Sequence, residues 1–222
     1  MDLSGTLDTI GQKDSWTFSD NKIHVSRNSE KIIDVLLVTV PFDSSATPGA
    51  SKFLSMGYLL LGTILKEAGY NVKILTGPND PNYESKLEKI IADQSPLFIG
   101  FSVMTPQVNK AYELSKKIKK LSPDTPVVWG GFHPTIFPDE TIANPNIDIV
   151  AYGEGASMIL PLTEALQNNK PLDDVQGIMF KQDGKTIRTE KPPLTELTDL
   201  PGIDWDLIDK DILKIFIVRK NP

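Results

Sequence analysis

Cysteine is absent from the 222-residue sequence. That excludes a disulfide scaffold, a cysteine nucleophile, and any zinc or iron–sulfur site held by thiolates of this chain. Histidine occurs only at His24 and His133, too few for a multi-histidine metal centre. No apolar run approaches the ~20 residues that span a bilayer. The opening residues MDLSGTLDTIGQKD have neither the basic start nor the apolar core of a secretory signal. The net charge of −6 argues against nonspecific attraction to nucleic acid, a polyanion. It leaves room for a small anionic ligand, because helix N-termini hold phosphate without a basic patch. Nucleotide fingerprints are missing too: no GxGxxG follows the first apolar strand, no GxxxxGK[ST] occurs, and Ser102 lies in no GxSxG context. No catalytic residue and no metal ligand can therefore be assigned. The expectation is a cytoplasmic protein with neither a membrane nor a nucleic-acid partner.

What is present has globular proportions, with 40% hydrophobic and 23% charged residues. Residues 1–30 are polar and weakly periodic; WTFSDNKIHVSR is read as a short strand or as nothing ordered, and the stretch as a leader. IIDVLLVTV (32–40) is a continuous β-branched run, the mark of a strand buried on both faces. Asp34 within it calls for a pairing partner or a strand edge. A long loop, PFDSSATPGAS (41–51), follows. Helical spacing then runs over 53–70, closed by Gly69 at a C-cap position. Strands are expected at 71–75, 97–103, 125–131 and 147–153, and helices at 83–93, 107–121, near 138–144 and at 156–169, the last kinked or begun at Pro161. Five strand–helix alternations predict a doubly wound, five-stranded parallel α/β sheet of Rossmann-like or flavodoxin-like type over 31–170.

The rhythm changes after residue 170. Two alternating segments joined at Asp183-Gly184 predict a β-hairpin appendage over 171–191. Residues 192–222 read as a proline-rich acidic linker, and the tail ILKIFIV (212–218) as strand-like. The basic run Lys116, Lys117, Lys119 and Lys120 reads as a solvated helix face.

Three segments end parallel strands and so share one edge of the sheet: GFSVMT (100–105), GGFHPT (130–135) and GEG (153–155). Glycine admits close backbone approach to a bulky ligand. Ser102 and Thr105 add hydroxyls, and Glu154 can accept from a ligand amide or brace a loop. With Gly130, Gly131, Gly153 and Gly155 they form a candidate wall for a large, partly polar cofactor. The other reading is that these glycines only reverse the chain.

The run WGGFHPTIFPDETIANPNIDIVAYGEG (129–155) resembles the cobalamin-binding domain that precedes the catalytic barrel of cobalamin-dependent radical SAM enzymes. The matching positions are Gly130, Gly131, His133, Pro134, Thr135, Pro138, Asp139, Glu140, Ile147, Asp148, Val150, Gly153, Glu154 and Gly155. Segments 56–75, 98–119 and 177–209 extend the resemblance over roughly 32–210. It implies that the chain orients a corrin for methyl transfer or a related radical rearrangement, with the nucleotide tail near Ser102, Thr105, Gly130, Gly131 and Gly153. It also implies a C-terminal radical SAM barrel, in the same or a separate chain, that supplies a 4Fe-4S cluster and S-adenosylmethionine. This sequence has no cysteine for such a cluster, so no turnover is expected of it alone, and it is read as the N-terminal part of a larger enzyme. The DxHxxG loop that gives cobalt a histidine in other cobalamin proteins is replaced by PFDSSATPG. The cofactor's own base is therefore expected off the cobalt and inside the protein, with His133 positioning a turn. Two alternatives stand beside this reading: a flavodoxin-like flavin or nucleotide binder, and an interaction module whose cofactor site is lost.

Overall fold

Five consecutive buried residues, Val35–Thr39, form β1, the strand on which the rest is assembled. The structure is a computed structural model; it describes residues 5–7, 14–19, 22–26, 33–42, 53–192 and 194–217. The chain divides into two compact units, 1–32 and 33–222. In the first, Gly5–Leu7, Asp14–Ser19 and Lys22–Ser26 make a three-stranded antiparallel sheet, where the sequence suggested one short strand at most.

In the second unit the elements follow in order: α1 Met56–Glu67, β2 Val72–Thr76, α2 Tyr83–Asp93, β3 Phe98–Ser102, α3 Val108–Leu121, β4 Val127–Gly130, α4 Phe132–Ile136, α5 Pro138–Ala143, β5 Ile149–Ala151, α6 Gly155–Gln167, β6 Ile178–Gln182, β7 Lys185–Arg188 and α7 Lys210–Ile217. The sheet order is β7-β6-β5-β4-β3-β1-β2. Strands β5 to β2 in that row are parallel, and the row reverses between β3 and β1. That reversal is the switch point at which doubly wound folds open a crevice.

The expected five-stranded parallel sheet is corrected here: the sheet has seven strands and is mixed. Strand β6 pairs antiparallel with β5, Ile149 opposite Phe180 and Ala151 opposite Ile178, and β7 pairs antiparallel with β6. The hairpin thus extends the sheet. The physical reason lies in IMF (178–180), which is buried on both faces: Ile178 and Phe180 join one core layer, Met179 the other. An appended hairpin would leave those residues in water and the β5 edge unpaired. Strand β7 brings the chain back alongside β6, so Arg188 lies opposite Met179, and Gly177 N–H donates to Glu190 O at 2.7 Å.

Alternation along the strands builds two core layers. Leu36, Val38, Ile99, Phe101, Val127, Trp129 and Val150 meet α2 and α3 through Leu87, Leu114 and Ile118. Val35, Leu37, Phe98, Val128 and Ile149 meet α1 and α6 through Leu59, Leu65, Ile159 and Leu162. Trp129 is fully buried, stacks on Tyr112 with ring centres 4.8 Å apart, and donates its indole N–H to Ser115 Oγ at 2.9 Å. Helix α1 ends as expected, with Gly69 in the left-handed region at φ +90°. Helix α6 starts six residues before Pro161 and runs through it. Asp34 accepts from Asn71 N–H at 2.8 Å, the pairing an Asp in an apolar run requires. Lys117 and Lys119 leave the expected solvated face to pair with Glu84, Glu88 and Asp148.

The tail departs from its expected strand. Lys210–Ile217 is helical, and Ile212 and Leu213 pack against the α1–α6 layer together with Ile203 and Leu207. Upstream, Asp204 fastens the segment along α1: its N–H donates to Thr63 Oγ1 at 2.9 Å and its carboxylate meets Lys66 Nζ at 2.5 Å.

Candidate functional site

The C-terminal ends of three parallel strands, β3, β4 and β5, carry side chains of very unequal size on the two faces. Toward α2 and α3 stand Phe101, Val103, Trp129 and Tyr152. Toward α1 and α6 stand Gly100, Ser102, Gly130, Ala151 and Gly153, where the two-residue period of a strand places them. The side chains of the large face are buried. The small face leaves a hollow of about 290 Å³ between the sheet and helices α1 and α6, open at the strand ends. Leu37, Val128 and Ala151 form its floor; Tyr58, Leu61 and Met158 form its walls. Gly155 lets α6 approach α1, since a Cβ there would sit 3.3 Å from Leu61 Cδ2.

Two buried side chains pin the switch point. The Tyr58 hydroxyl donates to Val38 O at 2.6 Å and accepts from Ser102 N–H, joining β1 to β3. Burial pushes its pKa above the ordinary tyrosine value, so it stays a neutral donor. Gln107 makes a parallel link one residue pair further on: its Nε2 donates to Val40 O at 2.5 Å and its Oε1 accepts from Met104 N–H at 2.8 Å. Neither residue was singled out by the sequence reading.

Six of the seven candidate site residues, Ser102, Gly130, Gly131, Gly153, Glu154 and Gly155, line this hollow. Thr105 does not. It lies past the strand end in a short turn, with its Oγ1 3.3 Å from His133 Nδ1. The two central glycines differ in kind. Gly131 has φ +97°, and a Cβ there would lie 2.7 Å from Val103 N, so it belongs to the turn itself. At Gly130 a Cβ would meet Ala151 Cβ at an ordinary 3.5 Å. Glu154 at the rim accepts from Thr195 N–H at 3.0 Å and so holds the segment that follows β7 across the opening.

His133 is outside the lining. Its N–H donates to Val103 O at 2.9 Å, its ring lies against Phe137, and burial pushes its pKa below the ordinary histidine value, against the pull of Glu140. It is the backbone N–H, and not the ring, that bonds to Val103 O. The loop 43–52, expected to lack a cobalt ligand, lies outside the described residues. Among the described residues, no group of three or more His, Asp or Glu could hold a metal ion, and no helix is long and apolar enough to cross a membrane.

An apolar slot at the switch point of a doubly wound sheet, walled by glycine on the strand side and by two helices above, is the kind of crevice in which open α/β folds take an organic ligand. The B12 binding domain profile matches residues 49–162, half of the sequence, and the chain belongs to that family. Among curated relatives, an uncharacterized methyltransferase of Pyrococcus horikoshii is 31% identical over 83% of this chain and 40% of its own length. The anaerobic magnesium-protoporphyrin IX monomethyl ester cyclase of Synechocystis sp. is 31% identical over 69% of this chain and 32% of its own. The chain thus spans well under half of the length of these relatives. Two solved structures share the fold. The cobalamin-dependent S-adenosylmethionine radical enzyme OxsB, with aqua-cobalamin bound, superposes with a TM-score of 0.69 at 19% identity, over 83% of this chain and 25% of that one. The radical S-adenosylmethionine methyltransferase TsrM of Kitasatospora setae, with cobalamin and a 4Fe-4S cluster bound, gives 0.63 at 20% identity, over 80% and 32%.

Proposed function

We propose that this chain holds and orients cobalamin for a radical SAM enzyme, with the nucleotide tail in the hollow and the corrin at the C-terminal edge of the sheet. The observation that carries the proposal is the unequal pair of faces: small residues at Gly100, Ser102, Gly130, Ala151 and Gly153 clear a slot that a family of B12-binding domains would use. The fit is chemical as well as spatial. The floor and walls are apolar, as suits an aromatic base, and the polar groups Ser102 and Glu154 stand at the rim, where they could pair with ribose hydroxyls. When bound, the cofactor supplies cobalt-centred chemistry that no side chain offers. The residues of this chain bind, orient and exclude water; Tyr58 and Gln107 fix the strand ends that frame the opening.

The reaction itself is proposed to need a radical SAM barrel, in the same or a separate chain, with its 4Fe-4S cluster and S-adenosylmethionine. Relatives named as a cyclase and as methyltransferases are consistent with one carrier serving several reactions. The proposed location is the cytoplasm, with no membrane or nucleic-acid partner. Incubation with hydroxocobalamin, desalting and a visible spectrum test the carrier role. Corrin absorbance should stay with the protein at about one equivalent. Its complete loss, or selective retention of a flavin offered in the same mixture, would refute the proposal.

A further inference from the structure

We propose that the hollow discriminates among cobamides by their lower base, accepting a dimethylbenzimidazole and rejecting a purine. The inference rests on the carrier role above and concerns what the slot can pair with. The side chains in its depth are Leu37, Tyr58, Leu61, Val128, Ala151 and Met158. Five of these offer no strong donor or acceptor. The sixth, Tyr58, has spent its hydroxyl proton on Val38 O and accepts Ser102 N–H. The strand backbone beneath is also committed, since Leu37, Gly100 and Val128 are register partners across β1, β3 and β4. At the rim, outside this depth, one oxygen of the Glu154 carboxylate, Oε2, accepts from Thr195 N–H.

A base seated against these side chains leaves water and finds no free donor or acceptor among them to replace its hydrogen bonds. An adenine carries an exocyclic amine and several ring nitrogens, each of which loses a water partner there. A dimethylbenzimidazole loses far less, and its two methyl groups gain apolar contact with the floor. Discrimination follows because unpaired polar groups, and not a lack of space, exclude the wrong base. The same argument names Met158 as a specificity-determining residue. It reaches the slot from α6, and glutamine at its position would present an amide donor and acceptor of similar length.

The test compares three probes on the full chain by equilibrium dialysis, read by corrin absorbance: cobalamin, its adeninyl counterpart, and cobinamide, which has no nucleotide. The two cobamides are used in their dicyano forms, in which the base has left cobalt, so that base release does not bias the comparison. Cobalamin should bind at least tenfold more tightly than the adeninyl cobamide and more tightly than cobinamide. Met158→Gln should narrow the cobalamin-to-adeninyl ratio at least threefold in protein whose circular dichroism is unchanged. Equal or tighter binding of the adeninyl form overturns the inference. Cobinamide binding as tightly as cobalamin also overturns it, while leaving the carrier role intact. Failure of all three probes to bind refutes the carrier role and the selectivity together.

Discussion

Replacing Gly130 by leucine should separate cofactor binding from folding. The backbone there is not in the left-handed region, and the first added carbon meets Ala151 Cβ at 3.5 Å, Ala151 O at 3.8 Å and Phe101 O at 3.9 Å, all ordinary contacts, so the strand accepts a side chain without moving. The remaining carbons enter the 290 Å³ hollow, on the same face as Val128. An aromatic base in that slot would bury on the order of 100 Å² of apolar surface, worth about 2.5 kcal/mol at ~25 cal/mol per Å². At 1.4 kcal/mol per tenfold, its exclusion should weaken cobalamin binding about sixtyfold. The ligand-free protein should melt at or slightly above the wild-type temperature, because glycine inside a strand is itself a weakness. Gly131→Leu is the contrast: φ +97° and the 2.7 Å approach to Val103 N make it unfold the turn, losing binding and stability together. The assays are equilibrium dialysis and thermal melting followed by circular dichroism. A folded Gly130→Leu protein that binds cobalamin as the wild type does would refute the placement of the base.

Tyr58→Phe removes one hydroxyl and leaves Val38 O and Ser102 N–H without it in a buried site; a loss of about 1–3 kcal/mol is expected in urea unfolding, with weaker cobalamin retention, and unchanged stability would show that the bridge between β1 and β3 is dispensable. Glu84 is held down to about 2, below its ordinary 4.5, first by Lys110 and then by Lys117. A depressed carboxylate stabilises above its unfolded pKa and loses that contribution as pH falls from about 4.5 toward 2. Solvent reaches the pair, so the amount stays below about 1 kcal/mol. Glu84→Gln should therefore lower stability at pH 7 and flatten the acid limb of the urea midpoint against pH; a variant whose acid limb matches the wild type would contradict this.

The local order of the chain was legible because it is local. The strands and helices announce themselves by periods of two and 3.6, and the small-against-large alternation of GFSV, VWGG and VAYG is written in adjacent residues. What escaped depends on distance in sequence. Tyr58 is 44 residues from Ser102, and Gln107 is 67 from Val40, so neither shows its role until the sheet order is known. Asp183-Gly184 marks the hairpin in the sequence, but its place in the sheet depends on β5 having a free edge. The tail's apolar residues fit a strand as well as a helix; in the helix Ile212 and Leu213 pack against the α1–α6 layer. Thr105 is a hydroxyl close to glycine in sequence, yet it stands beyond the last strand residue, where the alternation no longer applies.

The addition of two antiparallel strands, rather than one, has a consequence of parity. A chain that leaves β5 and crosses the sheet once would emerge at the edge away from the hollow. A second crossing cancels the first, and Arg188 emerges at the same end as Ala151. The next residues pass Gly153 and reach the Glu154 carboxylate, which catches Thr195. An even number of strands is therefore the wiring rule that delivers the downstream chain to the open side of the slot. A guest module spliced between residues 189 and 195 would stand at the open side of the slot, while the same module spliced into the Asp183-Gly184 turn would hang from the opposite pole.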